Sequence, residues 1–153
     1  MTIKIVTDSG SDLPPDIIKA YGITVVPVYV YFGETAYKDG VDIGPDELYR
    51  RLVESTVHPK TTQPMPNDFA DVYRDLSRET DEIISIHLSS KVSGTLSAAM
   101  QGKEMAGVKS RIEIIDSYSL SGGLGLVTLA AAEAVQSGMT MDAVIAEVRK
   151  AVN

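Results

Sequence analysis

Cysteine and tryptophan are absent from the chain, and phenylalanine occurs only twice. Without cysteine the protein can form no disulfide and offers no thiolate as a nucleophile or zinc ligand. The two histidines, His58 and His87, stand far apart and cannot make a zinc site by themselves. We therefore expect no metal and no cofactor, and a reducing, cytoplasmic location fits the lack of cysteine.

Basic residues are also scarce, since 14 lysines and arginines stand against 21 aspartates and glutamates and leave a net charge of −7. This charge argues against nucleic acid and against an anionic membrane surface as partners. No apolar run is long enough to span a membrane, so no membrane insertion is expected. The first residues, Met1 to Ile5, enter a strand directly and lack the layout of a signal peptide.

What the sequence does contain is an alternation of short apolar runs with amphipathic segments. The pattern predicts strands at 3–6, 23–32, 83–88 and 111–115, a hairpin strand at 35–38, helices at 14–22, 45–55, 67–78, 95–105, 123–136 and 141–152, and an irregular segment at 57–66. Strands that alternate with helices pair in parallel through right-handed crossovers. The prediction is one α/β domain in which a parallel β-sheet is layered with helices.

Hydroxyl-rich turns follow three of the predicted strands, at residues 7–9, 89–93 and 116–119. In a parallel sheet all three would lie at the carboxyl edge, where α/β sheets bind ligands. Ser93 stands just before a predicted helix, whose first N–H groups and dipole favour a negative charge. The alternative interpretation is that Ser93 only caps that helix.

No catalytic constellation accompanies these turns. Ser93 lacks the G-x-S-x-G surroundings of an activated serine. His87 lies within an apolar strand and is interpreted as a core residue, while His58 is interpreted as a solvated loop residue. Asp8 follows a strand, as the nucleophile of an aspartyl phosphatase does, but Gly10 stands where a second aspartate is needed, so Asp8 is expected to brace the turn. Hydroxyls without a base suit binding a carboxylate better than transforming it, and we expect no enzyme activity.

Several stretches of the chain resemble the DegV family of fatty-acid-binding proteins. They are Val6-Thr7-Asp8-Ser9 with Asp12-Leu13-Pro14, Pro59-Lys60-Thr61-Thr62-Gln63-Pro64, residues 86–95 with their Ser-Ser-Lys-Val-Ser-Gly-Thr, and Asp116-Ser117 followed by Gly123-Leu124-Gly125. Their order and spacing agree over nearly the whole chain. The resemblance implies that residues 1–153 form a single domain like the amino-terminal domain of that family.

The resemblance also implies a ligand. In this family a pair of hydroxyls holds the carboxylate of a long-chain fatty acid, and the matching positions here are Thr61 and Ser93. Supporting roles are expected for Thr62, Gly94, Ser9 and Ser117. Family members present the bound acid to a fatty acid kinase, which phosphorylates the carboxylate for phospholipid synthesis, so such a kinase is an expected partner.

The chain departs from the family pattern in two ways. Thr62 and Met65 stand where the family commonly has serine, which is expected to retune this loop. The family usually has a second domain of similar size beside the acyl site, and the resemblance covers the amino-terminal domain alone. The second domain is therefore expected to be absent, and the surface that it would cover is expected to promote self-association.

Two other classes of function stay open on the residues alone. A hydrolase or phosphotransferase would use Ser93 or Asp8 as its nucleophile, and an interaction module would bind a partner without any ligand. The leading hypothesis is a fatty-acid-binding carrier domain.

Overall fold

A computed structural model of the chain describes residues 3–152, so the predicted entry into the first strand from Met1 and Thr2 lies outside the described residues. The elements, in chain order, are β1 (Lys4–Asp8), a 3₁₀ turn (Ser9–Ser11), α1 (Pro15–Tyr21), β2 (Thr24–Val26), β3 (Tyr29–Phe32), β4 (Thr35–Lys38), α2 (Pro45–Glu54), β5 (Lys60–Thr62), α3 (Pro66–Leu76), β6 (Glu82–His87), α4 (Thr95–Ala106), β7 (Arg111–Asp116), α5 (Gly122–Gln136) and α6 (Met141–Val152).

The central sheet confirms the predicted parallel α/β architecture. It has four strands in the order β2-β1-β6-β7, and every neighbouring pair is parallel. Ile5 of β1 stands beside Ile84 of β6, and Ile84 stands beside Glu113 of β7. Because all four strands run the same way, the turns that follow them gather at one edge of the sheet.

The prediction of one strand over residues 23–32 is wrong. The segment is divided at Pro27 between β2 in the central sheet and β3 in a separate antiparallel sheet, whose order is β4-β3-β5. Proline cannot donate to a strand ladder. The next N–H, that of Val28, donates to Ser9 Oγ at 3.0 Å instead of to a strand. The chain therefore leaves the first sheet here and begins the second.

The segment predicted to be irregular, 57–66, contains strand β5. Thr61 pairs with Val30 of β3, and all three residues of β5 are exposed. A strand without a buried face carries no alternation of apolar and polar residues, so its sequence gave no strand signal. The predicted hairpin of β3 and β4 is confirmed, with Gly33 in its turn at a φ of 64°.

The helices agree with prediction to within two residues at each end. Gly22 ends α1 with a φ of 62°, in the left-handed region that glycine adopts freely. Helix α3 begins one residue earlier than predicted, so Asn67 lies inside it, and the carboxylate of Asp68 accepts the Met65 N–H at 2.8 Å. No helix within residues 3–152 is long and apolar enough to cross a membrane.

Helices cover both faces of the central sheet. Ile84 and Ile86 of β6 point into an apolar cluster with α5 and α6, while Ile83 points into a second cluster with α3 and α4. Successive side chains of a strand face opposite ways, so Ser85 and His87 share the face of Ile83. This alternation places two polar residues of β6 beneath α3.

Candidate functional site

A cleft of about 520 Å³ opens at the carboxyl edge of the central sheet. It is bordered by the turns after β1, β6 and β7 and by the end of β5, and its polar lining includes Thr61, Thr62, Gln63, Ser93 and Ser121. Apolar side chains complete the wall, among them Val28, Leu88, Val92 and Leu120. The combination of a few hydroxyls with aliphatic walls suits a ligand that has a polar head and an apolar body.

Thr61 reaches the cleft because it belongs to the second sheet. Its backbone pairs with Val30, and the antiparallel register fixes its position in β5. Within residues 3–152 the Thr61 hydroxyl has no protein hydrogen-bond partner. The hydroxyl is therefore free to bond a ligand.

Ser93 comes from the turn between β6 and α4. Its N–H donates to the carbonyl of Ser89 at 3.2 Å, which closes the turn. Its Oγ accepts the N–H of Thr95 at 3.2 Å and lies 2.8 Å from Thr95 Oγ1. The residue at the N-cap of α4 is Gly94, so Ser93 stabilises the start of the helix without being its N-cap. When the Thr95 hydroxyl donates to Ser93, the Ser93 proton remains available for a ligand.

Of the four residues expected to support the site, two line the cleft and two do not. Thr62 and Gly94 line the cleft with Thr61 and Ser93, whereas Ser9 and Ser117 do not. Ser9 Oγ accepts the Val28 N–H, and the Ser117 hydroxyl donates to the carbonyl of Ser119 at 3.2 Å. Ser9 and Ser117 therefore bond the loops behind the cleft rather than its interior.

Sequence reasoning missed a pair of residues opposite the hydroxyls. The Ser121 hydroxyl donates to Asp12 Oδ2 at 2.7 Å, and both residues line the cleft. Asp12 and Ser121 also have positive φ angles, 49° and 51°, which are uncommon for residues other than glycine. Asp12 lies in a stretch that resembles the family, and that is the only sequence signal that could have found it. It is the one ionisable side chain among the described residues that line the cleft.

A buried chain of hydrogen bonds runs beneath the cleft. Asp8 Oδ2 lies 2.9 Å from His87 Nδ1, His87 Nε2 lies 2.7 Å from Ser85 Oγ, and Ser85 Oγ lies 2.8 Å from Tyr73 Oη. All four side chains are fully buried. Every group has a partner when the Tyr73 hydroxyl donates to Ser85, the Ser85 hydroxyl to His87 Nε2, and the His87 Nδ1–H to Asp8. Burial raises the pKa of Tyr73 well above its ordinary value, so the phenol remains a donor.

The Asp8 carboxylate also binds the backbone of two residues that line the cleft. Its Oδ1 accepts the N–H of Gly10 at 3.0 Å, and its Oδ2 accepts the N–H of Leu88 at 3.1 Å. Gly10 and Leu88 both line the cleft. The expectations that Asp8 braces its turn and that His87 is a satisfied core residue are therefore confirmed.

The buried network is closed to solvent. The order Asp8, His87, Ser85 resembles a catalytic triad, but all three side chains are shielded from any substrate. His58 is exposed and lies outside the cleft, so Ser93 has no histidine as its base. Among residues 3–152 there is also no group of three or more histidines and carboxylates that could hold a metal ion.

The loop that carries Thr61 and Gln63 is anchored at its far end. The Tyr29 hydroxyl donates to Asp68, with Oδ2 at 3.0 Å, and Asp68 accepts the Met65 N–H. Burial, reinforced by the Asp68 carboxylate, raises the pKa of Tyr29 to about 12. The protonated phenol therefore ties β3 to the start of α3, and β5 and its loop lie between these two elements.

A larger cavity, of about 720 Å³, lies on the other side of the Ser9–Ser11 turn, between α1 and the start of α2. Burial raises the pKa of Asp39 in its wall, and a hydrogen bond from Ser9 opposes that rise. This cavity contains neither Thr61 nor Ser93. The smaller cleft is the candidate site because it brings the two predicted hydroxyls together.

Comparison with known proteins gives a consistent result. A family model described as "Uncharacterised protein, DegV family" matches residues 2–153. A DegV domain-containing protein of Caldanaerobacter subterraneus is 43% identical over 146 residues, which cover 95% of this chain and 51% of that protein. One from Deinococcus radiodurans is 38% identical, again over 95% of this chain and 51% of the relative. The chain thus spans about half the length of the curated relatives that it matches.

Solved structures show the same likeness. A fatty-acid-binding DegV family protein from Thermus thermophilus has a TM-score of 0.88 and 38% identity, with 99% of this chain and 54% of that chain covered. DegV of Bacillus subtilis, described as a fatty acid binding protein, has a TM-score of 0.90 and 30% identity over 98% of this chain and 53% of its own. The predicted family and fold are therefore confirmed.

Proposed function

The chain belongs to the DegV family, and on that premise we propose that it binds a long-chain fatty acid whose carboxylate is held by Thr61 and Ser93. The observation that carries the proposal is that these two hydroxyls, far apart in sequence, line one cleft with aliphatic walls. The proteins of similar fold from Thermus thermophilus and Bacillus subtilis are described as fatty-acid-binding, which supports the same ligand class.

The chemistry of the cleft fits the two ends of such a ligand. The Thr61 hydroxyl has no protein partner within residues 3–152, and the start of α4 beside Ser93 favours a negative charge. Hydrogen bonds to a charged group contribute about 1.5–3 kcal/mol each. Val28, Leu88, Val92 and Leu120 offer apolar contact to the methylenes next to the head group.

The affinity for a fatty acid depends on how much of its acyl tail is enclosed. Complete burial of about 14 methylenes at about 0.8 kcal/mol each would give on the order of 10 kcal/mol. Association costs of about 4–15 kcal/mol offset much of this gain. Val92 and Leu120 are 61% and 56% exposed, so these apolar walls would leave much of the tail in contact with solvent. We therefore expect this chain to bind long-chain acids weakly unless a further surface covers the tail.

Such a surface can come from a second copy of the chain. Val92, Tyr118, Leu120 and Leu126 form exposed apolar surface around this edge, each more than half exposed. Exposed apolar patches of a few hundred Å² tend to be interaction sites. We propose self-association through this edge, which sedimentation with and without fatty acid tests directly. A strict monomer that binds acid tightly would contradict it.

We also propose that the bound acid is presented to a fatty acid kinase, a partner that the family resemblance implies. On this proposal the chain itself is not an enzyme, and it works in the cytoplasm. The open mouth of the cleft, at the turns of the carboxyl edge, supports this use because the head group stays near the surface. The test is to incubate the loaded chain with such a kinase and ATP and to trap the acyl phosphate as its hydroxamate. Turnover of the acid by the chain alone would favour a hydrolase or phosphotransferase instead.

The decisive experiment is binding of palmitate by calorimetry, preceded by lipid extraction and mass spectrometry of the purified protein. The double variant Thr61→Ala with Ser93→Ala should weaken binding about 10- to 100-fold. The matched control is Thr56→Ala with Ser97→Ala, two exposed hydroxyls outside the cleft. An equal effect of both double variants, or the absence of any bound acid, would refute the assignment.

A further inference from the structure

Gln63 presents a polar group to the cleft that the structure otherwise leaves unused. Its side chain lines the cleft together with Thr61 and Ser93. Within residues 3–152, neither atom of its terminal amide has a hydrogen-bond partner. An amide placed among hydroxyls that face a ligand is a candidate for contact with the same ligand.

Gly94 leaves room for the Gln63 amide. A Cβ on residue 94 would stand 2.7 Å from Oε1 and 2.8 Å from Nε2 and Cδ of Gln63. The Gln63 amide therefore occupies the space that any other side chain at position 94 would fill. Gly94 is the residue next to Ser93, and Gln63, Gly94 and Ser93 all line the cleft.

The backbone conformation of Gly94 does not itself require glycine. Its φ and ψ are −79° and 5°, a conformation that residues other than glycine also adopt. A requirement for left-handed backbone therefore does not explain a glycine here. A Cβ here would stand under 3 Å from three atoms of the Gln63 amide, so any other residue at position 94 would shift the amide.

The charge of the cleft makes a third neutral donor useful. Of the described residues that line it, Asp12 is the only ionisable one, and no lysine, arginine or histidine is among them. An anionic head group must then be held by uncharged donors, since Asp12 and the net charge of −7 oppose it. A carboxylate offers about four acceptor sites, of which the hydroxyls of Thr61 and Ser93 would use two.

We propose that Gln63 is a further ligand contact, whose Nε2–H donates to the carboxylate that Thr61 and Ser93 hold, and that the Gln63–Gly94 contact selects acids over neutral lipids. This inference rests on the proposed function. An acid offers acceptors to all three donors at once, whereas a primary alcohol offers one oxygen. Loss of the amide donor should therefore weaken the binding of acids far more than the binding of alcohols.

The test uses palmitate and hexadecan-1-ol, two ligands of equal chain length, against the variant Gln63→Glu. This change keeps the size of the side chain but replaces its N–H donor with a carboxylate. Palmitate affinity should fall at least about tenfold, and alcohol affinity should change by less than about threefold. Gly94→Ala should reproduce part of this loss by displacing the amide.

The matched control is Gln101→Glu, which makes the same charge change on an exposed residue of α4 outside the cleft. Equal loss of palmitate affinity in Gln63→Glu and Gln101→Glu, or equal loss of acid and alcohol in Gln63→Glu, would overturn the inference. If Gln63→Glu has no effect while the Thr61 and Ser93 double variant loses binding, only the role of Gln63 fails. If the unmodified chain binds no palmitate, the proposed function fails and takes this inference with it.

Discussion

Replacing Asp8 with asparagine tests the buried network that supports the cleft. The carboxylate accepts three N–H groups, from the backbone of Gly10, the backbone of Leu88 and His87 Nδ1, and the side chain is fully buried. An asparagine amide offers one oxygen and one NH₂ group in the same space. At least one of the three donors therefore loses its acceptor and faces another donor.

The expected cost follows from that count. Each buried donor left without an acceptor costs about 1–3 kcal/mol. At about 2 kcal/mol for each of one or two lost donors, the free energy of unfolding should fall by about 2–4 kcal/mol. For a domain of this size, a loss of 1 kcal/mol lowers the melting temperature by about 2–4 °C. A fall of roughly 5–15 °C is therefore predicted for Asp8→Asn.

The measurement is urea and thermal unfolding at neutral pH, followed by circular dichroism. The control is Asp71→Asn, which removes an exposed carboxylate of α3 that pairs with Arg74 at 2.9 Å. Exposed ion pairs contribute little, so this control should stay within about 0.5–1 kcal/mol of the unmodified chain. If Asp8→Asn cost no more than Asp71→Asn, the hydrogen bonds to Asp8 would not be what holds the turns after β1 and β6.

Two further changes probe other contacts. Gly102→Ala should lower the free energy of unfolding in urea by about 1–3 kcal/mol, because the new Cβ would stand 2.5 Å from the Phe69 Cβ. This loss is expected even though alanine is a better helix former than glycine. The control Gly122→Ala has open space around it and should be nearly neutral or stabilising. Burial raises the pKa of Tyr29 to about 12, so its stabilising contribution is present below pH about 10 and lost as the pH rises towards 12. In Tyr29→Phe the free energy of unfolding should therefore fall less between pH about 9 and about 12 than in the unmodified chain. An equal fall in the variant and the unmodified chain would contradict the assignment to Tyr29.

Much of the architecture could be predicted because it depends on local pattern and on general rules of chain topology. Apolar strand runs alternating with amphipathic helices imply a parallel sheet, and a parallel sheet implies that the turns after its strands meet at one edge. This argument, together with the helix that begins just after residue 93, makes Ser93 a candidate. Its pairing with Thr61 came from the resemblance to a family, because no local pattern links residues so far apart.

Strand β5 shows why part of the site could not be predicted. Its three residues are all exposed, so nothing in their sequence alternates between polar and apolar. Residues 60–62 form a strand because β3 offers them an edge to pair with, and β3 is available only because the chain leaves the central sheet at Pro27. These strand pairings join residues that are far apart in sequence, so they cannot be predicted from composition or periodicity.

The sequence by itself determined the α/β class, the edge at which the turns collect, the burial of His87 and the bracing role of Asp8. These follow from runs of apolar residues and from the chemistry of single side chains. Only the tertiary structure decided that Tyr73 and Ser85 complete the partners of His87, and that Gln63 lies against Gly94. The reason is physical: a hydrogen bond or a close contact between distant residues exists only once the packing of sheet and helices has fixed both of its ends.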